Sequence, residues 1–147
     1  MTDWADFARI LADELDAAPD TTVLVIGEVA PTGSRRFAQF RKTGESVLAE
    51  LTGDEWLEPA SRPGDVGWRA ITRAGWHRPD QDHCDNWWAE FASPVRTDQY
   101  RRIAAITVTG LRDGFGITAP TELSYRGWVE KTGSRLHLPS LGIRDET

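Results

Sequence analysis

The sequence predicts an α+β domain of two layers, in which helices flank an antiparallel sheet. Three observations support this fold class. The chain opens with an amphipathic helical period, continues with three short strand-like segments joined by tight turns, and ends with further helical and strand-like segments. The predicted order is α-β-β-β-α-β-α. Strands in series with short connections form an antiparallel meander, and the helices bury their apolar stripes against it.

The length of 147 residues fits one domain around one core. Hydrophobic residues make up 39% and charged residues 27%, which is typical of a folded chain and too apolar for a disordered one. We predict a single domain over residues 1–130 and an irregular tail over 131–147, with its last residues frayed.

The first predicted element is a helix over residues 3–17. Asp3 is a suitable N-cap, and Pro19 ends the helix. The apolar residues recur at three- and four-residue spacing, at Trp4, Phe7, Leu11 and Leu15.

Three predicted strands follow, over residues 22–29, 35–42 and 47–51. The first is rich in Val and Ile, and turns rich in Gly, Pro, Ser and Thr separate the three. The alternation in the second strand places Phe37 and Phe40 on opposite faces. We therefore expect this strand to be covered on both sides.

A short helix is predicted next, with Asp65 as its cap and Gly75 at its end. Residues 77–85 are interpreted as a polar loop. A fourth strand over residues 86–92 then alternates, so that Trp87 and Trp88 face opposite ways.

The last predicted helix lies within residues 95–115, where apolar residues follow the helical period. Ser93 and Pro94 resemble an N-cap followed by proline at the first helical position. Pro120 breaks the pattern, and the segment from Leu123 to Val129 is expected to dock as a short strand or hook.

Charge and composition exclude several classes of function. With 23 acidic and 17 basic residues the net charge is −6, which disfavours nucleic acid as a partner. No apolar run approaches the roughly 20 residues that span a bilayer, and no secretory signal is visible. The single cysteine, Cys84, cannot form an intramolecular disulfide, which fits a reducing compartment. We predict a cytoplasmic protein that does not enter membranes.

One group of residues could carry chemistry. Metal-capable side chains cluster within the loop, at His77, Asp82, His83, Cys84 and Asp85. A zinc site normally pairs its Cys or His ligands in sequence, and a thiol enzyme needs a base beside Cys84. A small metal- or thiol-dependent enzyme is therefore an alternative, but a solvated polar loop is the preferred interpretation. We predict no cofactor and no catalytic activity.

Carboxylates on three predicted strands offer a second, weaker alternative. Glu28, Glu50 and Glu90 could converge as a general acid and base. Exposed strand faces carry such residues routinely, so this interpretation is not preferred. No Gly-x-Ser-x-Gly elbow and no phosphate-binding loop motif occurs in the chain.

The tryptophan content points to recognition instead. The chain has 7 Trp residues, and Trp and Tyr dominate binding hot spots. Trp88, Trp56 and Trp128 are the candidate anchors for a peptide, held either by strand addition at a sheet edge or in an apolar groove. Burial in the core or in a homodimer is the alternative for each of them.

Several segments, in this order, resemble the TY-Chap family of actinobacterial proteins, which is related to type III secretion chaperones and YbjN-like domains. They span residues 3–125 and comprise Trp4-x-x-Phe7, Phe37-Ala38-Gln39-Phe40, Leu48-Ala49-Glu50, Ala74-Gly75-Trp76-x-x-Pro79, Asn86-Trp87, Leu111-Arg112-Asp113-Gly114-Phe115-Gly116, Pro120 and Leu123-x-Tyr125. The resemblance implies a secretion-chaperone-like sheet flanked by helices, and a peptide-binding role linked to secretion. The tail after Trp128 has no counterpart in it.

Overall fold

The computed structural model describes residues 3–29 and 35–147. This part of the chain holds three helices, of which the third continues into a π-helical turn, Gly110–Gly114. The helices are α1 (Trp4–Ala17), α2 (Gly64–Ala74) and α3 (Thr97–Thr109). The strands are β1 (Thr22–Glu28), β2 (Phe37–Lys42), β3 (Ser46–Leu51), β4 (His77–Asp80), β5 (Asn86–Ala92), β6 (Leu123–Val129), β7 (Ser134–Arg135) and β8 (Arg144–Asp145).

All of these strands belong to one sheet, in the order β4-β5-β3-β2-β1-β6-β7. Neighbours along this path are antiparallel. The eighth strand, β8, pairs with β6 in parallel. The antiparallel two-layer class predicted from the sequence is therefore confirmed.

The core lies between the helices and one face of the sheet. Phe7 of α1, Phe40 of β2 and Trp87 of β5 are fully buried there. The N-terminal helix begins as predicted, since the Asp3 carboxylate accepts a hydrogen bond of 2.8 Å from the Asp6 amide. The alternation along the five longer strands, β1, β2, β3, β5 and β6, supplies this face with its apolar side chains.

The opposite face of the sheet, here called the open face, has no helix on it among the described residues. Paired residues of antiparallel strands point to the same side, so the register defines one row across this face: Arg126, Val25, Gln39, Glu50 and Trp88. The row mixes apolar, polar and charged side chains; Arg126 is exposed, Val25, Gln39 and Trp88 are half-buried, and Glu50 is buried.

Phe37 corrects the expectation that its strand is covered on both sides. It lies on the open face and is half-buried, while Phe40 is in the core. An aromatic residue on a face without helices needs another explanation, which the pocket described below provides.

Two predictions in the second half of the chain were wrong. Part of the supposed loop at 77–85 is strand β4, and it lies at the sheet edge, where the missing N–H of Pro79 breaks no ladder. The third helix begins at Thr97, and Ser93 and Pro94 precede it, joined by a cis peptide bond. The start of the helix is capped by the Gln99 side chain and not by Ser93: the Gln99 side-chain oxygen accepts a hydrogen bond of 2.9 Å from the Arg96 backbone amide.

The tail expected over residues 131–147 is mostly exposed, but two leucines anchor it to the core and two short strands pair it with β6. Leu138 and Leu141 are buried in the core, and the Leu138 amide donates a hydrogen bond of 2.7 Å to the Tyr125 hydroxyl. The strands β7 and β8 that flank this part are only two residues long, too short for a periodic signal in the sequence. In the described residues, no helix is both long and apolar enough to cross a membrane.

Candidate functional site

A pocket of about 680 Å³ opens at one end of the open face. It lies where β1, β2 and β6 approach two loops and the segment after β8. Its lining residues are Val25, Gly27, Arg35, Phe37, Trp56, Cys84, Asn86, Ser124, Tyr125, Arg126 and Glu146.

The floor of the pocket is apolar at its centre. Val25 and Phe37 are half-buried there. Gly27 pairs with Phe37 on one side and Ser124 on the other, so small residues flank the aromatic ring. The missing bulk beside Phe37 gives this end of the sheet its concave shape, which suits an inserted side chain.

One rim is built by two loops that are hydrogen-bonded to each other. The Gly53 amide donates a hydrogen bond of 3.0 Å to the Asn86 side-chain oxygen, and the Trp56 indole N–H donates one of 2.6 Å to the Cys84 carbonyl. This second bond holds the Trp56 ring at the pocket although 53% of the residue is exposed. A fixed, exposed indole beside a concave floor is typical of a recognition surface.

The other rim carries charge. Ser124 donates a hydrogen bond to the Glu146 carboxylate, and Arg35 lies 3.3 Å from the same carboxylate. These contacts, the Ser124 hydrogen bond first, hold the pKa of Glu146 below its usual range. Arg126 is exposed beside them, and no carboxylate of the described residues lies within salt-bridge distance of it.

The three carboxylates considered as an acid and base pair take separate partners. Glu28 forms a half-buried ion pair with Arg36. Glu50 accepts a hydrogen bond of 2.6 Å from the side-chain amide of Gln39. Glu90 accepts a hydrogen bond of 3.2 Å from the Ser46 hydroxyl. Burial raises the pKa of Glu28, but its bonds to Arg36 outweigh that effect and lower it overall.

Of the three predicted anchors, Trp56 lines the pocket. Trp88 lies on the open face, but its indole ring is stacked between His77, at 4.3 Å between ring centroids, and His83, at 3.9 Å. The Trp88 indole N–H donates a hydrogen bond of 2.9 Å to the Asp80 carboxylate. Trp128 is half-buried on the same face at its other end, opposite Val23 in the register. Trp88 and Trp128 therefore lie on the open face outside the pocket.

The candidate metal or thiol loop is organised around Trp88. His83 bonds Asp80 at 2.7 Å through its ring nitrogen, His77 stacks on the indole, and Cys84 is exposed with a left-handed backbone. Asp85 also has positive φ. Over residues 3–29 and 35–147, no three His, Cys, Asp or Glu side chains are placed to share a metal ion.

We expect Asp80 to make the stability of this cluster depend on pH. Its hydrogen bond to His83 is the first of the contacts that lower its pKa in the folded chain. A depressed carboxyl pKa stabilises the fold above the unfolded pKa, and that contribution disappears as pH falls through the folded value. The stability advantage of the native chain over Asp80→Asn should be full near neutral pH and shrink below about pH 4. Urea unfolding at several pH values measures it, and an advantage that grows on acidification would contradict the assignment.

Sequence reasoning missed most of the lining, above all Phe37 and Arg126. Phe37 did carry a signal, since it is out of phase with the core residues of its strand. No signal in the sequence pointed to Glu146, because its place in the pocket lining depends on the path of the segment after Leu141.

A family model matches residues 1–129, most of the chain, and its description is T3SS (YopN, CesT) and YbjN peptide-binding chaperone 3, TY-Chap3. Neither the curated proteins nor the solved structures contained a match. The matched range includes α1, α2, α3 and the strands that form the floor of the pocket. The chain belongs to the TY-Chap3 family of peptide-binding chaperones.

Proposed function

We propose that this chain binds an extended segment of a polypeptide client in the pocket of its open face. The observation that carries the proposal is the pocket itself: an apolar floor at Phe37, a fixed indole at Trp56 and charged groups at the rim. Concave, mostly apolar sites with a few placed polar groups are typical binding sites. The family description supports a peptide as the ligand.

Neither sheet edge offers a free strand for simple addition. At one edge, β4 has four residues, one of them Pro79, which lacks an N–H. At the other edge, β6 is already paired with β7 and β8. A client is therefore held first by side chains inserted between Phe37 and Trp56, and its backbone can pair with β6 only where it displaces β8.

We propose that the chain acts by binding and not by catalysis. Among the described residues the pocket lining has one thiol, Cys84, and no histidine. A nucleophilic cysteine needs a base within hydrogen-bond reach. The histidine next in sequence, His83, is engaged with Asp80 and stacked on Trp88. The proposal extends to a client of the secretion type, as the resemblance implies, and to a cytoplasmic location, which the single cysteine supports.

Alanine substitution tests the proposal. A peptide selected from a random library on the native chain should bind at least tenfold more weakly to Phe37→Ala or Trp56→Ala, measured by fluorescence anisotropy. Truncating a hot-spot aromatic costs about 2 kcal/mol or more, which exceeds a factor of ten in affinity.

Val66→Ala is the matched control, since Val66 is 76% exposed on α2 and does not line the pocket. Its affinity for the peptide should equal that of the native chain. Equal affinity in all four proteins would place the binding elsewhere. Light scattering on the same samples checks the homodimer that was the sequence-based alternative, and loss of the dimer in Trp56→Ala would favour self-association over client binding.

A further inference from the structure

Residues 143–147 lie along the outer edge of β6 as an added strand. Arg144 and Asp145 pair in parallel with Ser124 and Tyr125. The Glu146 amide donates a hydrogen bond of 2.7 Å to the Tyr125 carbonyl, and the Gly127 amide donates one of 3.3 Å to the Thr147 hydroxyl. The segment thus takes the backbone hydrogen bonds that β6 would otherwise offer to another chain.

The side chains of the segment alternate between the pocket and the opposite side. Glu146 faces the pocket, where Ser124 and Arg35 bind its carboxylate. Asp145 faces the other way and bonds the His137 ring at 2.9 Å. This alternation is the one expected of a peptide bound by strand addition, with one side chain read by a pocket.

The contacts that hold the segment are mostly polar and exchangeable. Arg144, Asp145 and Glu146 are exposed, and Ile143, the one apolar residue of the segment, is half-buried against the core. Hydrogen bonds and exposed ion pairs exchange readily with competitors of like chemistry, because each has a small net free energy in water. The segment also lies beyond residue 129, where the family match ends.

The rim is locally basic although the whole chain is acidic. Arg35 and Arg126 both line the pocket, and the net charge of the chain is −6. Two guanidinium groups at one rim favour a carboxylate ligand, since guanidinium binds carboxylates through paired, charge-assisted hydrogen bonds.

We propose that residues 143–147 are an internal ligand of this pocket, and that the client segments the pocket accepts are extended acidic peptides that displace it. This inference rests on the proposed function and names the chemistry of its ligand. A client carboxylate takes the place of Glu146 on Ser124 and Arg35, its backbone pairs with β6, and Arg126 supplies a second positive charge.

The test uses a variant lacking residues 143–147 and a synthetic peptide of residues 141–147 (LGIRDET). Nuclear magnetic resonance titration of the ¹⁵N-labelled variant suits a weak ligand. We expect the amide signals of Ser124 to Gly127 and the Trp56 indole signal to move on addition of the peptide. The intact chain should bind the same peptide at least tenfold more weakly, because its own segment occupies the edge.

The matched control peptide carries Gln in place of Glu146. It should bind the shortened variant at least several-fold more weakly, since it lacks the charge that Arg35 and Ser124 recognise. Equal binding of both peptides, or equal binding to the intact and shortened chains, overturns the inference.

A second variant keeps the test valid where the deletion disturbs folding. In the intact chain, Glu146→Gln should raise the affinity for library-selected peptides several-fold, and those peptides should be enriched in Asp and Glu. Selected peptides that bind the pocket without acidic preference contradict the inference but leave the proposed function standing. Selected peptides whose binding ignores Phe37→Ala and Trp56→Ala contradict the proposed function itself.

Discussion

Replacing Gly53 with alanine is expected to destabilise the chain by about 2–4 kcal/mol and to open the pocket, on the basis of the hydrogen bonds it breaks. A Cβ at this position would lie 1.7 Å from the Asp85 carbonyl oxygen, which is backbone and cannot rotate away. The two loops must separate, and the bonds from Gly53 to Asn86 and from Trp56 to Cys84 are lost together. Chemical denaturation measures the stability, and peptide anisotropy measures the pocket.

Gly44→Ala is the control for this prediction. Among the described residues, the atom nearest to a Cβ there is an Asp20 carboxylate oxygen at 3.9 Å, so the substitution should leave stability and binding unchanged. A Gly53→Ala protein as stable as Gly44→Ala would show that the rim loops are not locked together as described.

Replacing Trp87 with alanine should cost about 3–5 kcal/mol, the range for large aromatic residues in cores. Trp87 is fully buried, and its ring packs edge-on against Trp68 at 4.5 Å between centroids. Its indole N–H is buried without a hydrogen-bond partner in the described residues. Trp87→Phe should therefore cost much less than Trp87→Ala, because it removes that unpaired donor and keeps most of the ring.

Trp88→Ala provides the comparison across the sheet. Its ring lies on the open face between two histidines, so its loss creates no core cavity. We expect a smaller destabilisation than for Trp87→Ala, measured by thermal or urea unfolding. A larger loss at Trp88 than at Trp87 would reverse the assignment of the two faces.

The adjacent pair Trp87 and Trp88 illustrates how far the sequence predicts this fold. Alternation alone places one ring in the core and the other outside it, because successive strand residues face opposite ways. The N-terminal helix and the three-strand meander were predictable on the same local grounds. Strands β4, β7 and β8 were not, because four or two residues show no period and their pairing depends on contacts distant in sequence.

The candidate site was less predictable than the fold. Trp56 was identified from its residue type and loop position, and it does line the pocket. Trp88 was also named as a candidate anchor, but its two histidine neighbours and Asp80 come together around it only through β4, which the sequence did not reveal. Phe37 was noticed as out of phase and explained by a second covering layer. Only the bare sheet face shows that it is the floor of a pocket.

Amide shift mapping by nuclear magnetic resonance with a library-selected peptide tests the central claim most directly. Binding in the pocket predicts the largest changes at Val25, Phe37 and Ser124 and at the Trp56 indole, with α1 and α3 unaffected. Changes centred on the helices, or on the β4 edge at His77–Asp80, would contradict the claim that the open face is where this chain recognises a peptide.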